Sequence, residues 1–185
     1  MAMKHPTRVR IIEPVILFVL IALVIYYGVN ALNAQDLLWF QSKAVELEPM
    51  RIVIRHEGRE ETIVPGHENF NALAEAAQLS LSSPSNTDLI NLGLSDTSLS
   101  YFDDEGVLLE LYFSRPVQYH TSYRTGDPTQ LLVPIEGRHA GKGYFFRGAE
   151  GEWWFGAMRM GDPVPLLDTM ARLGYPVDRA TPLTN

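Results

Sequence analysis

The chain has 185 residues, no cysteine, and 22 acidic against 15 basic side chains, for a formal net charge of −7. Without cysteine there is no disulfide framework, no thiolate zinc site and no lipidated cysteine beside a membrane. Glu13 alone among the acids, and Lys4, Arg8 and Arg10 among the bases, precede Asp36, so the remainder holds 12 basic and 21 acidic residues, a formal −9. That balance argues against nucleic acid as a partner and against docking on anionic lipid through a basic face.

A charge-free stretch separates Glu13 from Asp36. At about 1.5 Å per helical residue it is long enough to cross a hydrocarbon core of roughly 30 Å. Two readings compete, a secretory signal that is cut away and an anchor that stays. A signal's apolar region is usually only about 7 to 15 residues long, and Val29-Asn30-Ala31 is a tolerable cleavage triplet. Against cleavage, the run from Val15 through Leu20 to Tyr27 is dominated by Val, Ile, Leu and Phe, and Tyr26 and Tyr27 stand where an aromatic belt meets headgroups. An uncleaved signal anchor over residues 11–33 is the expectation. Three bases lie before it and the first one after it is Lys43. The positive-inside rule therefore places residues 1–10 in the cytoplasm and the large C-terminal part outside the cell membrane. Glu13 and Pro14 suit a first helical turn.

Residues 34–49 contain good helix formers and stop at Pro49, which reads as a juxtamembrane helix or stalk. Its apolar knot, Leu37, Leu38, Trp39 and Phe40, either lies at the interface or packs on the domain it leads into, and the second is favoured. An outer domain over 50–180 and a short tail over 181–185 follow. "RIVIRHEGREETIV" alternates Arg51, Val53 and Arg55 with Ile52, Ile54 and His56 around a Glu57-Gly58 turn, the pattern of a hairpin. Phe70, Leu73, Ala74, Ala77 and Leu81 then recur at helical spacing, and the turn-rich stretch 82–96 reads as a connecting loop. "SLSYFDDEGVLLELYFSRPVQYH" reads as a second hairpin turning at Asp103 to Gly106, and "TQLLVPIEG", "KGYFFRG" and "EWWFGAMRM" supply three further strands. Asp162, Pro163, Gly174 and Pro176 bracket a final helix. The expected fold is α+β: one N-terminal membrane helix, then one extracytoplasmic domain with an antiparallel sheet of about five to seven strands and two packed helices.

Signatures of chemistry are sparse. "GRHAGKG", Gly137 to Gly143, departs from a phosphate loop in its spacing before Lys142, in Gly143 where a hydroxyl should hold magnesium, and in the strand that follows it. What remains is a candidate anion-binding loop of Arg138, His139 and Lys142. His56, His67, His120 and His139 show no metal-ligand spacing, "FDDEG" lacks the alternation of a calcium loop, and Ser98, Ser100 and Ser114 stand in no nucleophile elbow. No metal, cofactor or enzymatic activity is expected from these patterns. An enzyme would need titratable groups converging around His120 or His139.

Aromatic density is more informative. Tyr144 and Phe145, like Trp153 and Trp154, are adjacent in strand-like stretches and so face opposite sides, which makes both sheet faces apolar. Helices on each side account for this, and so does a partner or an apolar ligand covering one face. Tyr144, Trp153, Trp154, Tyr119, Tyr123, Arg115 and Arg124 are the candidate contact residues, because Tyr, Trp and Arg are what interface hot spots favour. The expected function is that of a membrane-anchored accessory, assembly or regulatory protein acting through a protein partner. A sensor or lipid- or small-ligand-binding module is the alternative.

Overall fold

The structure, a computed structural model, describes residues 12–41 and 44–179. The expected N-terminal tail, Lys43 and the tail 181–185 lie outside the described residues. Helix α1 (Ile12–Ala34) is apolar all round, with only Ala31 and Ala34 buried, and its length and composition are those of a membrane span or a signal sequence.

The remaining elements are β1 (Pro49–His56), β2 (Arg59–Ile63), α2 (Phe70–Leu81), α3 (Asp96–Asp104), β3 (Val107–Phe113), β4 (Gln130–Glu136), β5 (Tyr144–Ala149), β6 (Glu152–Trp153), β7 (Met158–Arg159) and α4 (Val164–Arg172). The fold is α+β. Its seven-stranded sheet is antiparallel in the order β2-β1-β3-β4-β5-β6, with β7 also paired to β5. Glu57 and Gly58 both take positive φ in the β1–β2 turn, the geometry that suits the twist of a two-residue hairpin.

Strand alternation sorts the core into two layers. On the first face Ile52, Ile54, Leu109, Leu111, Leu131, Val133 and Phe145 meet Leu73, Ala77 and Leu81 of α2 and Leu166 and Met170 of α4. On the second, Leu108, Leu132 and Phe146 meet Phe102 of α3 and Ala157, with Ile90, Leu92 and Leu94 of the preceding loop packed around them. Both faces are thus covered from within the chain, which accounts for adjacent aromatic residues pointing both ways.

Two expectations are corrected. The first arm expected of the second hairpin is helix α3. Ser95 caps it by accepting a hydrogen bond from the Ser98 N–H, Leu99 and Phe102 stand one turn apart on its packed side, and Gly106, at φ 74°, lets the chain turn into β3. Capping and that packed stripe outweigh the strand propensity of its aromatic residues. The expected strand "EWWFGAMRM" is broken into β6 and β7, with Trp154, Phe155 and Gly156 between them. At the C-terminal helix Asp162 does act at the start, accepting from the Val164 N–H at 3.0 Å, and Gly174 at φ 95° lies just past its end.

Between α1 and β1 the described residues form turns and an extended segment in place of a further helix. The apolar knot folds back on the end of α1: Trp39 lies edge-on to Tyr26 at 5.9 Å, Phe40 meets Tyr27 at 6.2 Å, and the Tyr27 hydroxyl donates to the Leu37 carbonyl. The extended stretch then docks on α2, where the Gln78 amide bridges the Leu47 N–H and the Val45 carbonyl at 2.7 and 2.8 Å.

Candidate functional site

The loop that joins β3 to β4, residues 114–129, decides which candidate residues are accessible. It crosses the first sheet face and carries Val117, Tyr119 and Tyr123 into the core, with the Tyr119 ring 6.1 Å from Phe145. Tyr119 and Tyr123 are 4% and 8% exposed, so neither presents a ring to a partner, which corrects that part of the expected contact surface. Burial raises the pKa of both phenols, that of Tyr123 to about 12. The same loop leaves Arg115 and Arg124 exposed and brings His120 to the chain leaving α1. There its Nδ1 lies 2.8 Å from the Asp36 carboxylate across 84 residues of sequence.

Trp153 is half-buried in the second-face core, whereas Trp154 lies beyond the end of β6, against Gly126 and 5.9 Å from the Arg147 guanidinium. A Cβ on Gly126 would come 2.6 Å from the Trp154 ring, and its φ is 69°, so both space and backbone call for glycine there. Phe155 projects with 67% of its surface exposed. Tyr144 is half-buried, with Arg159 over its ring at 5.4 Å.

The Arg138, His139 and Lys142 loop does not gather its cations on one point. Arg138 turns to α3, donating to the Thr97 carbonyl at 3.2 Å and lying over the Tyr101 ring at 4.9 Å. His139, in the left-handed region at φ 63°, sets its ring 6.0 Å from Phe146. Burial, with Arg138 and Lys142 nearby, pulls its imidazole below the usual value. Lys142 is exposed. Among the described residues no three potential metal ligands cluster. The His120–Asp36 pair has the geometry of a base and its orienter, but among the described residues no hydroxyl reaches the other ring nitrogen.

Three shallow clefts surround these groups. One of about 430 Å³ is lined by Val45, Glu46, Glu48, Arg115, Gln118 and His120. A second, of about 440 Å³, lies between the end of α1 and the domain, with Asp36, His120, Arg124, Gly126 and Trp154 on its walls. The third, of about 310 Å³, shares Arg124, Gly126 and Trp154 with the second and adds Leu89, Arg147 and Phe155.

Arg147 was not singled out by sequence. It pairs with Leu131 across the sheet, two residues from Phe145, which places it on the apolar first face, and it is 3% exposed. Its guanidinium donates to the carbonyls of Thr125, Phe155 and Gly156, and its Nε has no partner. A charged residue at an apolar-face position of "YFFRGA" was the available signal. Comparison of the chain with protein-family models, with curated proteins and with solved structures gives no match.

Proposed function

We propose that the chain is a single-pass membrane protein, N-terminus in the cytoplasm and α+β domain outside the cell, acting as an accessory, assembly or regulatory subunit through protein contacts of that domain. The observation that supports this reading best is the junction. The chain leaves α1, doubles back on Tyr26 and Tyr27, and is tied to the domain by the Asp36–His120 contact at 2.8 Å. A domain tethered this way keeps one surface at a set height above the bilayer, and that surface carries Arg115, Arg124, Trp154 and the exposed Phe155. Aromatic and arginine side chains there suit a partner in the same membrane.

The test is the native mass of C-terminally tagged full-length chain extracted in mild detergent. A stoichiometric assembly containing the uncleaved chain, lost on Phe155→Glu with melting temperature unchanged, is the expected result. Recovery in the soluble fraction, shortened by about thirty residues, would mean a cleaved signal and end the anchor reading. A second reading, a membrane-anchored sensor or ligand-binding module, is favoured by the buried Arg147, which forms no ion pair among the described residues and lines a cleft with no acidic side chain on its walls. It predicts a ligand-dependent rise in melting temperature with no partner present.

A further inference from the structure

We infer that the cleft between Arg124 and Arg147 binds the anionic group, phosphate or carboxylate, of an amphiphilic ligand whose apolar part lies along Trp154 and Phe155. The inference rests on the ligand-binding reading and names its chemistry.

Arg147 breaks the pattern of its strand. Every other buried side chain that β5 and its neighbour β4 place on the first face is apolar: Leu131, Val133, Ile135 and Phe145. Such local departures in an otherwise consistent sheet mark functional sites. A guanidinium does not shed its proton, so burial leaves it charged. Backbone carbonyls take part of that charge, but among the described residues no carboxylate pairs with it, and its Nε has no partner. The side chains that reach it electrostatically are the phenols of Tyr119 and Tyr123, neutral at ordinary pH and held more firmly so by burial, which raises their pKa. The Tyr119 hydroxyl is itself buried without a hydrogen-bond partner.

The cleft beside this group supplies what an anion needs. Its walls are Leu89, Arg124, Thr125, Gly126, Arg147, Trp154 and Phe155, with no acidic side chain among them, in a chain of net charge −7. Arg124 is exposed and, among the described residues, forms no ion pair, so its planar fork is free to take a carboxylate or phosphate in the bidentate manner. Arg147 adds a second, immobile positive charge. The half-buried Trp154 and the exposed Phe155 place an apolar wall next to both cations. A volume of about 310 Å³ accommodates a headgroup and a few methylenes, not a folded partner. Arg124, Thr125, Gly126 and Trp154 also line the neighbouring cleft, which adds Asp127 and, at the end of α1, Ala34, Gln35 and Asp36. The anion can therefore arrive from lipid at the membrane surface or from solution.

The test uses full-length chain in neutral maltoside micelles, with octyl phosphate, inorganic phosphate and 1-octanol as probes, followed by thermal melting and titration calorimetry. Octyl phosphate is expected to raise the melting temperature by a few degrees at saturation. Arg124→Ala is expected to weaken its binding at least tenfold, while Arg115→Ala, on a different cleft, leaves it unchanged. A response confined to octyl phosphate points to a lipid-like source; an equal response to inorganic phosphate supports the site with a free anion as its ligand. No response to either anion, or an undiminished response in Arg124→Ala, overturns the inference. If 1-octanol alone raises the melting temperature, the ligand-binding reading stands and the anion site does not.

Discussion

Glu110 and Arg147 are buried to the same depth, each 3% exposed, on opposite faces of one sheet, yet the chain treats the two charges differently. Glu110 on β3 is enclosed by partners. The Tyr112 hydroxyl donates to one carboxylate oxygen at 2.6 Å and Arg55 Nε lies 3.3 Å from the other. Arg55 in turn reaches Asp103 at the end of α3 at 3.4 Å, and Arg51 covers the Tyr112 ring at 4.0 Å. This network ties β1, β3 and α3 together and leaves little charge unanswered. Arg147 has carbonyls, two neutral phenols and an open cleft. A buried charge with its counter-charge in place is accounted for by the fold itself; one whose surroundings hold no counter-charge carries an uncompensated desolvation cost, which the proposed anion would offset.

The largest expected effect comes from breaking the closed network. Glu110→Leu leaves Arg55 without its buried partner and the Tyr112 hydroxyl without an acceptor. About 3 kcal/mol of stability is expected to be lost, the low end for a broken buried pair because the half-exposed Arg55 still reaches Asp103 and Glu60. Arg147→Met is expected to cost less, about 2 kcal/mol. Three carbonyls lose a donor, but an unpaired charge leaves the interior and a flexible apolar side chain takes its place opposite Leu131. Urea unfolding of both variants in neutral micelles checks the order. If Arg147→Met proves the costlier, the carbonyl clamp and not the missing counter-charge dominates that region.

The same contrast shows what the sequence makes legible. The first hairpin, α2 and α4 follow from local signals: alternation of Ile52 and Ile54, apolar residues one turn apart from Phe70 to Leu81, and the Asp162-Pro163 to Gly174 bracket. Helix α3 does not, because Tyr101 and Phe102 carry strand propensity and only the Ser95 cap and the 99–102 spacing argue otherwise. The site is less legible still. His120 meets Asp36 across 84 residues, and Tyr119 and Tyr123 are buried because a loop with no regular structure lies over the sheet. Neither event leaves a mark in neighbouring residues. Arg147 does leave one, a charge two positions from Phe145, but it becomes readable only once the register assigns that position to the apolar face.

A third base without an acid tests whether the distinction extends beyond Arg147. The charges that reach His139 are those of Arg138 and Lys142, and burial adds to their effect, so its imidazole is held below the usual value. Unlike a guanidinium, an imidazole can answer by staying neutral. Between that lowered value and about 6.5, where an unfolded imidazole titrates, the unfolded chain binds more protons than the folded one, so stability falls as pH falls through this window. Above it both states are neutral and the group contributes nothing; below it both are protonated and the loss is complete. His139→Asn suits the left-handed backbone at φ 63° and removes the titration. Thermal melts at pH 7.5 and 5.5 should then show a smaller drop in the variant than in the parent, by about 1 °C, since the ring is only half-buried and water screens its neighbours. Equal drops would mean that neither burial nor Arg138 and Lys142, one turned to α3 and the other in solvent, holds the imidazole down, and that the distinction does not extend from Arg147 to this loop.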